Sequence, residues 1–169
     1  MGTRKYTMAL VVAVVSVLAL VSHSPAQQCP TGSQSVSVKG KIFNNFLFTR
    51  QTLGIVQLVF DNHANAKCGI MGNNILPDPN NPSLLNFEHT VVCDDHSELW
   101  LLTHGNITGI SACPNGGSSF SFVEVSTPNI SLPHKGLFED ITGGQLTIIG
   151  TVNCDLEIDM KLDGYTCFP

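Results

Sequence analysis

Residues 145–162 read Gln145-Leu146-Thr147-Ile148-Ile149-Gly150-Thr151-Val152-Asn153-Cys154-Asp155-Leu156-Glu157-Ile158-Asp159-Met160-Lys161-Leu162. In the second half, Leu156, Ile158, Met160 and Leu162 alternate with Glu157, Asp159 and Lys161. That period of two is what a strand with one core face and one wet face requires. In the first half, Leu146, Ile148 and Gly150 fall on one side and Thr147, Ile149 and Thr151 on the other. Two adjacent strands, each with a defined inner face, set the expectation for the rest of the chain.

Outward from this pair, β-branched and aromatic residues recur in short runs separated by Gly, Asn, Asp and Pro, and helical periodicity is absent after residue 26. Strands are predicted near Ser35–Phe43, Leu53–Phe60, Lys67–Met71, Phe87–Cys93, Glu98–Thr103, Ile107–Ser111, Ser119–Ser126, Gln145–Val152 and Leu156–Leu162. Leu53–Phe60 is apolar on both faces, which marks a central strand. Side chains that cap turns populate Asp61–Ala66 and Cys93–Ser97, and Pro114-Asn115-Gly116-Gly117 offers positive-φ positions. Gly72–Asn86, with Pro77, Pro79 and Pro82, reads as a long surface excursion, and Thr127–Gly136 as another connection. The class is all-β, a single antiparallel β-barrel or, alternatively, a β-sandwich.

The N-terminus has the three parts of a secretory signal: basic Arg4 and Lys5, an apolar run from Met8 to Val21, and small residues at Ser24-Pro25-Ala26. Residues 1–26 are therefore expected to be removed, leaving Gln27 first and one extracellular domain over 27–169. The run is too short for a membrane span, and no second one follows. All six cysteines lie after residue 26, an even number that in an exported chain implies three disulfides. Cys68 and Cys93 flank the Gly72–Asn86 excursion and would meet if their strands pair. Cys29 with Cys167 would then tie the termini, leaving Cys113 with Cys154. C-x-x-C spacing is absent, which argues against a thiolate metal site.

Without the signal the chain has six Lys and Arg against thirteen Asp and Glu, a net charge of −7 with histidines neutral. Such a balance disfavours nucleic acid and anionic lipid, both of which need a cationic patch. Asn106-Ile107-Thr108 and Asn129-Ile130-Ser131 are glycosylation sequons, placed in or beside predicted turns. His89, His96 and His104 fall with Asp94, Asp95 and Glu98 in one predicted hairpin. Imidazole and carboxylate together could serve acid/base chemistry, but their spacing matches no metal motif. Nucleophile elbows, Ser-x-x-Lys, His-Glu-x-x-His and phosphate loops are absent, so neither a catalytic residue nor a cofactor is assigned.

Gly136-Leu137-Phe138-Glu139-Asp140-Ile141-Thr142-Gly143-Gly144-Gln145-Leu146-Thr147-Ile148-Ile149-Gly150-Thr151 resembles the glycine turn and strand of allene oxide cyclase-like and dirigent-like β-barrels. The resemblance covers about a tenth of the chain. Pro133-His134-Lys135-Gly136 departs from the family's Gly-x-Gly, and the six cysteines are foreign to the pattern. It implies a barrel whose interior can hold an apolar molecule. With about eight strands, such an interior is either filled by side chains or holds one small ligand. Leu53, Ile55, Phe122, Ile148 and Ile158 are the expected lining, and the inner faces are expected to carry almost no charge. Three functions follow: a secreted binder of a small apolar ligand, an extracellular protein that acts through protein contact, or an enzyme built on the histidine hairpin.

Overall fold

A computed structural model describes residues 29–47, 50–61, 64–81 and 84–169. The expected signal and its cleavage site lie outside the described residues. Eight strands form one closed antiparallel barrel in chain order: β1 (Gln34–Leu47), β2 (Gln51–Phe60), β3 (Asn65–Pro77), β4 (Leu84–Cys93), β5 (Glu98–Ala112), β6 (Ser118–Pro128), β7 (Gly143–Val152) and β8 (Glu157–Phe168). Closure comes from β1 pairing with β8 from Gln34↔Phe168 to Asn45↔Glu157. A closed barrel has no free edge, and it resolves the choice against a sandwich.

Two sequence boundaries shift. The segments Glu98–Thr103 and Ile107–Ser111 form one strand, β5, whose register slips between Ile107 and Gly109. His104, Gly105 and Asn106, between the two predicted segments, pair regularly with β4 and β6, and the bulge follows them. The Gly72–Asn86 excursion is largely strand as well, because a bulge between Asn73 and Leu76 lets β3 continue to Pro77. The remaining turn is held by the Asp78 carboxylate, which accepts from Asn80 N (2.8 Å), Asn81 N (3.1 Å) and Asn86 Nδ2 (3.1 Å). Those donors, the first of them above all, hold its pKa below the ordinary carboxylate value.

Alternation fills the interior. Ile148, Ile42, Val38 and Leu99 are fully buried, and Ile158, Met160 and Leu162 face inward from β8 as its pattern requires. Leu156 does not, because it occupies the β7–β8 turn at φ 64. Three disulfides join Cys29–Cys167, Cys68–Cys93 and Cys113–Cys154, the expected pairing. Their number suits an oxidising, extracellular setting. No helix among the described residues is long and apolar enough to cross a membrane.

The two ends differ. At one end the β6–β7 crossover folds over the barrel and carries a short 3-10 turn, Gly136–Phe138. Phe138 is completely buried there, its ring centroid 6.3 Å from that of Phe60. Lys135 and Glu98 exchange backbone hydrogen bonds (3.1 and 3.2 Å), and Leu137 N donates to Ser97 Oγ at 2.8 Å. Gly136 is at φ 59, where a Cβ would lie 2.4 Å from Ser97 Oγ, so this contact requires glycine. Among the described residues the opposite end is finished by hairpin turns alone, and a half-open cavity enters there.

Candidate functional site

A half-open cavity of about 50 Å³ enters the barrel from the open end. Its walls are mostly apolar: Phe46, Leu85, Phe87, Phe120, Phe122 and Ile158, with Asn44, Thr52, His89 and Glu124 as the polar side chains deeper in. At roughly 10–15 Å³ per water, the space of about 50 Å³ takes about three to five waters or the end of a small molecule, not a whole lipid. A larger hollow of about 480 Å³, lined by residues such as Lys39, Lys41, Gln57 and Lys161, is an open groove on the outer wall.

Each polar group arrives by strand parity. β6 turns Phe120, Phe122, Glu124 and Ser126 inward, and β4 turns Leu85, Phe87 and His89 inward. Gly105 on β5 makes the space they occupy, since a Cβ there would stand 3.2 Å from Phe87 and 3.4 Å from Glu124 Cγ. His89 Nδ1 bonds Thr103 Oγ1 at 3.1 Å, and Thr103 Oγ1 bonds Ser126 Oγ at 2.8 Å. Across the barrel, Asn44 Nδ2 donates to Thr52 Oγ1 (3.3 Å), which also accepts from Gly72 N (3.2 Å).

Burial governs the two ionisable groups. With no cation beside it, the Glu124 carboxyl is pushed up to about 8, and the His89 imidazole is pushed down to about 4. Near neutral pH both are uncharged. Glu124 is then a carboxylic acid able to donate a proton, and His89 a neutral base. Glu124 Oε2 is enclosed and has no hydrogen-bond partner.

Of the five expected lining residues, Phe122 and Ile158 line the cavity. Ile148 faces inward but is packed in the core beneath it. Leu53 and Ile55 are corrected: they lie on the outer wall, 53 % and 54 % exposed. The register sets Val56 opposite Ile42 and Phe60 opposite Val38, so the even-numbered residues of β2 take the interior. Leu53 and Ile55 instead join Phe43 and Met71, their cross-strand partners or neighbours, in an exposed apolar cluster.

The histidine hairpin does not assemble. His89 points into the barrel, His104 points out to the side chain of Asn86, and His96 occupies the β4–β5 turn at φ 66. Opposite faces of one sheet cannot share a ligand. Among the described residues, no three His, Cys, Asp or Glu side chains are placed to hold a metal ion. The inner faces hold two ionisable side chains that the sequence reading did not place there, Glu124 and His89, both uncharged near neutral pH. Glu124 was legible: once Phe122 is assigned inward, period-two alternation carries Glu124 with it. Asn106 is exposed in β5 rather than in a turn, at the rim of the cavity, while Asn129 does lie at a turn, where its Oδ1 accepts from Ser131 Oγ at 2.6 Å. Comparison with protein-family models, curated proteins and solved structures finds no match for this chain.

Proposed function

We propose that this is a secreted, glycosylated barrel that binds the end of a small, mainly apolar molecule at its open end. The observation that carries the reading is an aromatic-walled, half-open cavity with a few buried polar groups at its base, which is the usual make-up of a small-molecule site. The resemblance of Gly136–Thr151 to allene oxide cyclase-like and dirigent-like barrels supports the same reading. Cavity size narrows the ligand to a slender end group whose remainder emerges at the mouth. The N-terminal signal and the two sequons, Asn106 and Asn129, support secretion and glycosylation.

The test is an NMR titration with butan-1-ol, whose five non-hydrogen atoms suit the space and, at about −1.5 kcal/mol per atom at most, limit affinity to about the micromolar range. Saturable shifts should concentrate at Phe120, Phe122 and Ile158, and Ile158→Phe should abolish them. Unsaturable shifts, or shifts indifferent to that substitution, would contradict the reading.

A further inference from the structure

Glu124 is the least explained side chain in the molecule. It is an acid within an apolar chamber, its Oε2 is enclosed and unpartnered, and every Lys and Arg among the described residues is exposed, on the outer wall or, for Arg50 and Lys135, in the β1–β2 turn and the crossover. Buried carboxyls are ordinarily hydrogen-bonded or paired with a cation. The only other ionisable residue lining the cavity is His89, whose Nδ1 is engaged with Thr103. Among the described residues no cation therefore serves Glu124, yet the chamber opens to solvent at one end and its wall includes the rings of Phe46, Phe87, Phe120 and Phe122.

From the enclosed, unpartnered Oε2 of Glu124 and the aromatic wall we infer that the cavity selects a primary ammonium group on a short apolar stem, with Glu124 as its counter-ion. This rests on the reading of the open end as a small-molecule site and names the class of molecule that site takes. The ammonium would give the enclosed oxygen a charge-assisted hydrogen bond, and aromatic faces attract cations through the ring quadrupole. The stem would fill the apolar mouth. A neutral alcohol of the same size fits the space but brings no charge, so the carboxyl stays protonated.

Charge balance supplies the signature. The amine enters as its cation and remains one, so Glu124 must release its proton to solvent. With Glu124 titrating near 8 and His89 near 4, binding at pH 7 should release close to one proton per amine. Raising the pH from 7 to 9 should tighten amine binding about tenfold, because Glu124 then arrives already ionised. His89 remains neutral over that interval and adds no slope.

The experiment titrates the whole exported protein with butylamine and with butan-1-ol, by NMR for affinity and by calorimetry in two buffers of different ionisation enthalpy for proton release. The expected result is tighter binding of butylamine, with proton release in the amine titration alone. Glu124→Gln, which keeps the shape, should weaken butylamine at least tenfold and leave butan-1-ol within about twofold. Binding of butan-1-ol with no preference for butylamine and no proton release would overturn the amine assignment while leaving the small-molecule site intact. Failure of both probes to bind would overturn both. Proton release is read on the unaltered protein, so the result does not depend on how the variant folds.

Discussion

The two ends of this barrel are built from the same alternating strands and finish differently. At the closed end a crossover lays Phe138 against Phe60, and backbone hydrogen bonds between Lys135 and Glu98 hold it there. At the open end the strands stop in hairpin turns, and Phe120 and Phe46, both half-buried, stand around a cavity with Glu124 and His89 below. One end has the packing of a core, with His134 Nε2 and Thr166 Oγ1 unpartnered in it, and the other gives up packing for a chamber that holds an unpartnered acid, Glu124, beside Asn44 Oδ1. Such a departure from ordinary core composition is where function is to be sought.

The sharpest break in this contrast is a pair of truncations. Phe138→Ala should cost about 3–5 kcal/mol, since it empties a completely buried site. Phe120→Ala should cost about 1–2 kcal/mol because its ring is only half-buried at the mouth. Equal losses in urea unfolding would mean that the two ends are packed alike.

The second effect is set by pH. Folded Glu124 keeps its proton up to about 8, whereas the unfolded chain loses it near 4.5, so stability falls as pH rises through that window, by roughly 1 kcal/mol per unit. His89 has the opposite sign. The unfolded imidazole takes a proton below about 6.5 and the folded one only near 4, so stability is lost as pH falls from 6.5 to 4. Between about 4.5 and 6.5 the two slopes oppose, which predicts a plateau there and a decline from 6.5 to 8. Glu124→Gln should remove the decline above 6.5 and uncover a loss of stability as pH falls from 6.5 to 4, which Glu124 offsets in the unaltered protein.

The smallest effects separate the three histidines. His104→Ala, on the outer wall, should change stability by less than about 0.5 kcal/mol. His96→Gly should be neutral or stabilising by up to about 1 kcal/mol, since His96 occupies a left-handed position. Chemical unfolding at pH 6 checks both, and a large loss at either would restore the case for a working hairpin.

Much of the wall was legible because alternation is explicit where one face is polar. Leu146/Ile148/Gly150 and Ile158/Met160/Leu162 went to the interior as their patterns required. The cysteine pairs followed once Cys68 and Cys93 were set on neighbouring strands. Leu53–Phe60 misled because both of its faces are apolar, so parity was undefined until the register with β1 fixed it. The site was harder to see. His89 was grouped with Asp94 and Asp95 by proximity in sequence, whereas a single residue of parity separates the inner from the outer face. The closed end was hidden for another reason: Phe138 lies in a crossover whose docking onto β5 depends on long-range contacts with Ser97 and Glu98, which no local pattern encodes.

Glu124, enclosed and without a counter-ion at the base of the open end, decides what that end can bind. Selective ¹³C labelling and NMR titration of its carboxyl carbon tests this directly. A midpoint near 8, moved downward by saturating butylamine, is the predicted result. A midpoint in the ordinary range near 4.5 would show a carboxylate already solvated or paired, and would contradict the chamber described for the open end.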